Sequence, residues 1–221
     1  MTLKLRNQKQ ALLQDASSLL LVTAVCGAGG ALTTTANAAV MATPLIAFPL
    51  IVPNNIDGVY INVVTGATGA DGGATTGWDI NPYSATGLAF FSPPSPAGGA
   101  MLTSGGTTAA NLPVGTEVGA LGTYSGLTPV VPFGGASPNW VLNTSNYFGF
   151  RFIDEDDSSV HFGWGRMVVG ATANNRSIAE LYYESTAGMP INVGAVPEPT
   201  GALLAAGAAG LVALRRRRQA A

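Results

Sequence analysis

Two aromatic segments late in the chain constrain its fold more than any other feature. Residues 146–154 and 159–169 flank a polar turn of sequence Asp-Glu-Asp-Asp-Ser. In both segments large aromatic residues recur at every second position, which is the period of a β-strand, so that they share one face of each strand. This pattern predicts a β-hairpin whose aromatic face packs into the core. The alternating residues are Phe148, Phe150 and Phe152 in the first segment and Phe162 and Trp164 in the second.

The remaining chain favours short strands joined by turns. Charged residues make up only 10% of the sequence, while glycine (29) and proline (14) are abundant. That composition is typical of strands and turns rather than of helices, which prefer Leu, Glu, Lys and Arg. With the hairpin, about nine short strands predict an all-β fold, an antiparallel β-sandwich or jelly roll. The further strands are predicted at residues 45–52 (an edge strand or an extended arm), 58–64, 76–80, 87–91, 100–104, 117–121 and 178–183.

The N-terminus has the pattern of a secretory signal peptide over residues 1–38. Three basic residues precede an apolar run at residues 19–32, and the small residues Ala36 and Ala38 then form a small-x-small triplet. Signal peptidase accepts such triplets, so we expect export through the Sec machinery and a mature chain that begins at Ala39.

The sequence disfavours two alternatives to this cleavage. An uncleaved anchor is disfavoured because the apolar run is short and contains several glycines. A lipid on Cys26 is disfavoured because Val25 stands where lipoprotein sites carry Gly, Ala or Ser. Cys26 is the only cysteine, so its removal would leave a mature chain without disulfides or thiolate metal sites.

The C-terminus has three parts in a fixed order. A Pro-Glu-Pro triplet precedes an uncharged apolar run at residues 200–214, and four arginines follow. As a helix the run would be about 22 Å long, slightly short of a full membrane span. The arginines should keep its end in the cytoplasm, with the preceding domain outside. An ordinary anchor would explain the run and the arginines but not the triplet. The residues concerned are Pro197, Glu198 and Pro199, and then Arg215, Arg216, Arg217 and Arg218.

This tripartite tail, on a chain with a signal peptide, resembles the PEP-CTERM sorting signal of Gram-negative bacteria. The resemblance covers residues 196–218 and implies that a membrane enzyme, exosortase, recognises and cleaves the tail. It also implies passage through the inner membrane, transient anchoring there, and then a cell-surface or extracellular location linked to exopolysaccharide and biofilm. Aromatic motifs between residues 147 and 191 are similar to a segment found near the tail of many such proteins, which supports a β-rich exported domain over residues 39–195.

No catalytic constellation is evident between the two ends. His161, the only histidine, lies inside an aromatic strand, where a hydrogen-bonded structural histidine is the more common case. Glu180 and Glu184 would be about 13 Å apart on a strand, too far to act as a glycosidase pair. The acidic turn at residues 154–157 could supply oxygen ligands to calcium or could be a solvated hairpin tip. We therefore predict no catalytic, cofactor-binding or metal-binding residue, and a non-enzymatic protein.

Charge and aromatic content narrow the possible partners. Residues 39–196 contain three arginines, no lysine and ten acidic residues, a formal charge of −7 that argues against nucleic-acid binding. The aromatic residues could form a sugar-stacking platform, which makes a carbohydrate-binding module for secreted exopolysaccharide the alternative function, although such residues are more often core. They are Trp78, Trp140, Trp164, Tyr60, Tyr83, Tyr147, Tyr182 and Tyr183.

Overall fold

A computed structural model describes residues 39–44, 49–93, 98–135 and 139–197. Within these ranges no residue is helical, and every paired set of strands is antiparallel, which confirms the all-β prediction. The thirteen strands are β1 (Val40–Ala42), β2 (Leu50–Ile51), β3 (Tyr60–Ile61), β4 (Thr68–Gly69), β5 (Asn81–Tyr83), β6 (Ala89–Phe91), β7 (Gly99–Met101), β8 (Glu117–Val118), β9 (Tyr124–Ser125), β10 (Thr144–Ile153), β11 (Val160–Val169), β12 (Arg176–Glu184) and β13 (Ile191–Asn192).

Three long strands, β10 to β12, form the centre of a seven-stranded sheet. The order across this sheet is β1-β12-β11-β10-β7-β9, and β2 also pairs with β12. The predicted hairpin is confirmed as β10 and β11, and residues 178–183 lie in a strand, as expected. Three small two-stranded sheets pair β3 with β4, β5 with β6, and β8 with β13.

The hairpin register places phenylalanine rings opposite glycines. Phe148 pairs with Gly165, and Phe150 pairs with Gly163. A Cβ atom at either glycine would overlap the paired phenylalanine ring, and one at Gly165 would also lie 2.6 Å from Leu181 Cδ2. The glycines therefore leave the space in which the rings lie flat across the neighbouring strand.

The expectation of a single aromatic face is wrong. Phe148, Phe150 and Phe152 belong to one buried cluster, whereas Phe162 and Trp164 belong to another. Since side chains alternate across a strand, the register that pairs phenylalanine with glycine sends Phe162 and Trp164 to the opposite face. Trp164 is only 2% exposed, which confirms that it is a core residue.

Both faces of the central sheet are covered. On one face the phenylalanine cluster includes Ile61 of β3 and Phe90 of β6, whose ring lies 4.9 Å from that of Phe148. On the other face the tryptophan cluster includes Val118 of β8 and Ile191 of β13. This layered arrangement of antiparallel sheets is consistent with a β-sandwich.

A β-bulge in β12 breaks the alternation of its side chains. Strict alternation would put Ile178 on the same face as Tyr182, but the β11–β12 pairing shifts register between Arg166 and Met167. The shift leaves Ala179 unpaired and turns Ile178 into the phenylalanine cluster with Leu181. A bulge thereby exchanges a small residue for a large one in the core.

The short strands match the sequence prediction less well. Residues 76–80 were predicted as a strand, but residues 76–79 form a loop and Ile80 makes only an isolated bridge with Ile61; β5 begins at Asn81. Strands β1, β4, β9 and β13 were not predicted. Each of these unpredicted strands contains only two or three residues, too few to show a periodic pattern.

Arg176 at the start of β12 ties several loops together. It is 2% exposed, and it donates hydrogen bonds to the carbonyl oxygens of Pro53 (3.0 Å), Ser84 (2.8 Å) and Ala173 (2.9 Å). It also donates to the carbonyl oxygen of Gly87. Burial lowers the pKa of this guanidinium. Backbone carbonyls thus replace the carboxylate that usually accompanies a buried arginine.

The last described segment, residues 193–197, packs against and hydrogen-bonds to the tryptophan cluster. Trp164 Nε1 donates a 2.9 Å hydrogen bond to the carbonyl oxygen of Ala195, and Val193 is buried beside it. Val196 and Pro197, which follow, are exposed. The predicted signal peptide (residues 1–38), Glu198, Pro199, the apolar run at residues 200–214 and the four arginines lie outside the described residues. Within the described part of the chain, no helix is long and apolar enough to cross a membrane.

We predict that Gly165→Ala destabilises the domain by about 1–3 kcal/mol, because the added methyl group overpacks the Phe148 ring and Leu181. Urea denaturation measures the change. Gly87→Ala is the matched control, since a Cβ there meets no atom within 4 Å. Equal unfolding midpoints for the two variants would show that the packing of the Phe148 ring does not require glycine at position 165.

Candidate functional site

A cleft of about 430 Å³ lies where the loop before β5 meets the turn between β10 and β11. One wall comes from residues 72–79 and the other from the end of β10 and the start of its turn. The side chains with polar or aromatic groups that line it are Thr75, Thr76, Trp78, Asp79, Phe152 and Glu155.

Asp79 is the most unusual group in this cleft. It is 4% exposed, and its Oδ2 atom accepts a 2.7 Å hydrogen bond from the backbone N–H of Val63. Burial raises the pKa of its carboxyl group to about 8; the Val63 bond opposes this shift, and the charges of Glu155 and Asp154 add to it. At neutral pH Asp79 is therefore mainly a protonated acid that can donate as well as accept a hydrogen bond.

Glu155 reaches the cleft from the hairpin turn. Its carboxylate lies against Gly77, where a Cβ atom would overlap Oε1 and where φ is +62°, so glycine suits the position twice over. Asn62, 3% exposed, donates to the carbonyl oxygen of Gly77 (2.6 Å) and contacts Glu155 Oε1 (3.4 Å). The amide of Asn62 thus holds the loop and the turn together at the rim of the cleft.

Trp78 supplies the aromatic surface of the cleft. It is half-buried, and its ring contacts Tyr60 edge-on at 4.8 Å and Phe91 at 5.4 Å between centroids. Tyr60 and Phe91 also line a smaller adjoining cavity of about 220 Å³. Packing on two aromatic neighbours fixes the orientation of the indole before any ligand arrives.

The eight aromatic residues considered as a platform divide into separate groups. Trp140, Trp164 and Tyr183 are buried, whereas Trp78, Tyr60 and Tyr83 are half-buried at or beside the two cavities. Tyr147 and Tyr182 are half-buried against Trp164, at 6.0 and 4.8 Å. Among the aromatic residues in the described part of the chain, the group around Trp78 lines a cavity together with carboxyl groups.

His161 is a hydrogen-bonded structural histidine, as predicted. It is 1% exposed, with Nδ1 2.8 Å from the carbonyl oxygen of Glu184 and Nε2 3.1 Å from Asp157 Oδ2. Because a carbonyl oxygen only accepts, Nδ1 carries a proton. No nucleophilic hydroxyl group is bonded to either ring nitrogen in the described residues.

The acidic turn forms the tip of the hairpin. Asp154 Oδ1 accepts from the N–H of Asp156 (2.9 Å), and Asp157 Oδ1 accepts from the N–H of Ser159 (2.8 Å). The latter bond is the main reason that the pKa of Asp157 is lowered. Asp154, Asp157 and His161 bring three ligand atoms within 4.8 Å of one another, fewer oxygens than the six to eight that calcium takes.

Glu180 and Glu184 do not converge on one site. Glu180 pairs with Arg166, while Glu184 is 2% exposed at the end of β12. The carboxyl groups that do share a cleft are Asp79 and Glu155, which sequence reasoning did not bring together. The adjacency of Trp78 and Asp79 in a glycine-rich loop was the one available signal.

Comparison with models of known protein families finds no match to this chain. Comparisons with curated proteins and with solved structures find no match either.

We predict that ionisation of Asp79 makes the free energy of unfolding depend on pH. Between its unfolded pKa of 3.8 and its folded pKa of about 8, the folded state binds a proton that the unfolded state has lost. The free energy of unfolding should therefore fall as pH rises through this window, by at most about 1.4 kcal/mol per pH unit.

Asp79→Asn keeps an acceptor for Val63 but cannot ionise, so its stability relative to the unmodified protein should increase from pH 5 to pH 8. Urea denaturation at a series of pH values measures this difference. Asp57→Asn, at an exposed position, is the control. Parallel stability curves for Asp79→Asn and the unmodified protein would contradict the prediction.

Proposed function

We propose that this chain is an exported, non-enzymatic β-sandwich protein that a PEP-CTERM tail sorts to the cell surface or extracellular matrix. Exosortase would process the tail after transient anchoring in the inner membrane. The observation that carries this proposal is the ordered tail itself: Pro-Glu-Pro, the uncharged run at residues 200–214, and four arginines.

The end of the described domain supports a separation between the folded domain and the sorting tail. The carbonyl oxygen of Ala195 is hydrogen-bonded to Trp164, and the next two residues, Val196 and Pro197, are exposed, so the motif begins where the described packing ends. A processing enzyme could therefore reach Pro197, the first residue of the triplet, without unfolding β13. Removal of the tail would leave the tryptophan cluster complete.

We predict that truncation after Val196 releases the protein from the inner membrane of its host, because residues 200–214 are the only long apolar run left after the signal peptide. Membrane fractionation and immunoblotting measure the release. Replacing all four arginines with serine should weaken retention through loss of the positive-inside bias. A truncated protein that still sediments with the membrane would reveal another anchor.

For the exported domain itself, we propose carbohydrate binding at the Trp78 cleft. A fixed, half-exposed indole offers an apolar face to a sugar ring, while Asp79, Glu155 and Thr76 offer hydrogen-bonding groups to its hydroxyls. A few convergent polar groups around an aromatic wall are the usual composition of a small-molecule site.

Charge narrows the class of glycan. No arginine, lysine or histidine is among the described residues that line the cleft, and the domain has a net charge of −7. Anionic polysaccharides would be repelled by Glu155 and by the domain as a whole. The cleft therefore suits neutral sugars or sugars that carry free amino groups.

We predict that Trp78→Ala weakens binding to a neutral or amine-bearing polysaccharide by about tenfold or more, which corresponds to about 1.4 kcal/mol. Affinity electrophoresis in gels that contain a neutral glucan, a de-N-acetylated aminoglycan or a uronic-acid polymer measures it. Tyr182→Ala, a half-buried aromatic residue away from the cleft, is the matched control and should bind normally. Unaltered migration of the unmodified protein in all three gels would overturn the binding proposal and leave the sorting proposal standing.

A further inference from the structure

Glu184 is a buried carboxylate at the end of β12 that lacks an ionic partner among the described side chains. It is 2% exposed. Its Oε1 atom accepts two hydrogen bonds, from the backbone nitrogens of Ala39 and Thr186, both at 2.8 Å. Within the described part of the chain, no arginine or histidine forms an ion pair with it. Burial of a carboxylate is costly unless a positive charge compensates it.

Ala39 is held in place from both sides. Its neighbour Val40 pairs with Glu184 across the β1–β12 ladder, and its own carbonyl oxygen accepts a 3.0 Å bond from the N–H of Ser185. The nitrogen atom of Ala39 is therefore positioned at the Glu184 carboxylate by backbone pairing.

Ala39 is also the residue that the sequence predicts to be first after removal of the signal peptide. Hydrolysis of the Ala38–Ala39 peptide bond by signal peptidase consumes one water molecule. Ala38 leaves with the new carboxylate, and the nitrogen of Ala39 becomes a primary amine, which takes up a proton near neutral pH.

We infer that cleavage after Ala38 creates an α-ammonium group that forms a partly buried ion pair with Glu184, so that export processing supplies the missing positive charge. This inference rests on the proposed export and goes beyond it, because it gives the new N-terminus a structural role. The bond from Ala39 changes from an amide hydrogen bond to a charge-assisted one, which is the stronger kind.

The ion pair would also stabilise the candidate site indirectly. The backbone carbonyl oxygen of Glu184 accepts a hydrogen bond from His161 Nδ1. The other ring nitrogen, Nε2, is hydrogen-bonded to Asp157 in the acidic turn. Fixing Glu184 therefore fixes one support of the turn that carries Glu155 to the cleft. Glu184 is a positioning residue in this arrangement.

The composition of the chain permits a specific test. Both lysines precede residue 10, so the mature protein would have a single amine, the α-amino group of Ala39. A protein that begins at Ala39 can be released from a fusion by a site-specific protease, and its acylation by an amine-reactive ester can be followed by intact mass. Ala39 is exposed, so the reagent can approach it.

We expect acylation of the folded protein to be at least about tenfold slower than in urea, since each unit by which the amine pKa rises leaves tenfold less reactive free base. Glu184→Gln should remove most of this protection, whereas Glu117→Gln, at an exposed position, should keep it. The urea comparison needs only the unmodified protein, so it remains decisive if Glu184→Gln does not fold.

Two results would overturn the inference in different ways. Equal acylation rates in the folded protein and in urea would show that no ion pair forms, and export could still occur. Recovery of the protein from its host with a first residue other than Ala39 would remove both the new ammonium group and the predicted cleavage position.

Discussion

The contact between phenylalanine rings and glycine backbone in the central hairpin is the constraint on which the rest of the fold depends. Phe148 and Phe150 lie across Gly165 and Gly163, and this packing is possible in one register only. A slip by one residue would bring side chains opposite the rings and would exchange the two faces of the sheet. The same register sends Trp164 to the opposite face and so creates two cores, one beneath β3 and β6 and one beneath β8 and β13.

The candidate site is a consequence of this hairpin. Its turn carries Glu155 over the glycine-rich loop that presents Trp78 and Asp79, and Asn62 joins the two parts. The loop has almost no regular structure of its own, so the cleft takes its shape from the rigid strands that end beside it. A loop positioned by a rigid scaffold is the usual arrangement of a binding site.

The long strands could be predicted from the sequence, because ten or so residues of alternating pattern are enough to show a period of two. The sequence could not predict which face of the sheet each aromatic group occupies, because that depends on which glycine of β11 lies opposite which phenylalanine of β10. The sequence also could not predict that Ile178, rather than Ala179, lies in the phenylalanine cluster. A bulge breaks the alternation of side chains without any signal in composition. The cleft was missed because Asp79 and Glu155 are far apart in sequence, and the acidic turn that contains Glu155 indicated a cation site or a solvated tip rather than the wall of a cleft. The proposed terminal signals are the opposite case, since they are predicted at residues 1–38 and 196–218 from local composition alone.

The hydrogen bond from Trp164 to Ala195 has a further consequence for how the domain would be held before its release. Only residues 196–199 separate Ala195 from the apolar run, a tether of at most about 14 Å when fully extended. A domain of this size has a radius of gyration of about 15 Å, so the tether would be shorter than the body it holds. Under the proposed sorting route, the domain could not tumble freely at the membrane. The face of the domain that carries Trp164 would then lie nearest to the processing enzyme. The hydrogen bond from the Trp164 indole to Ala195 would set this orientation.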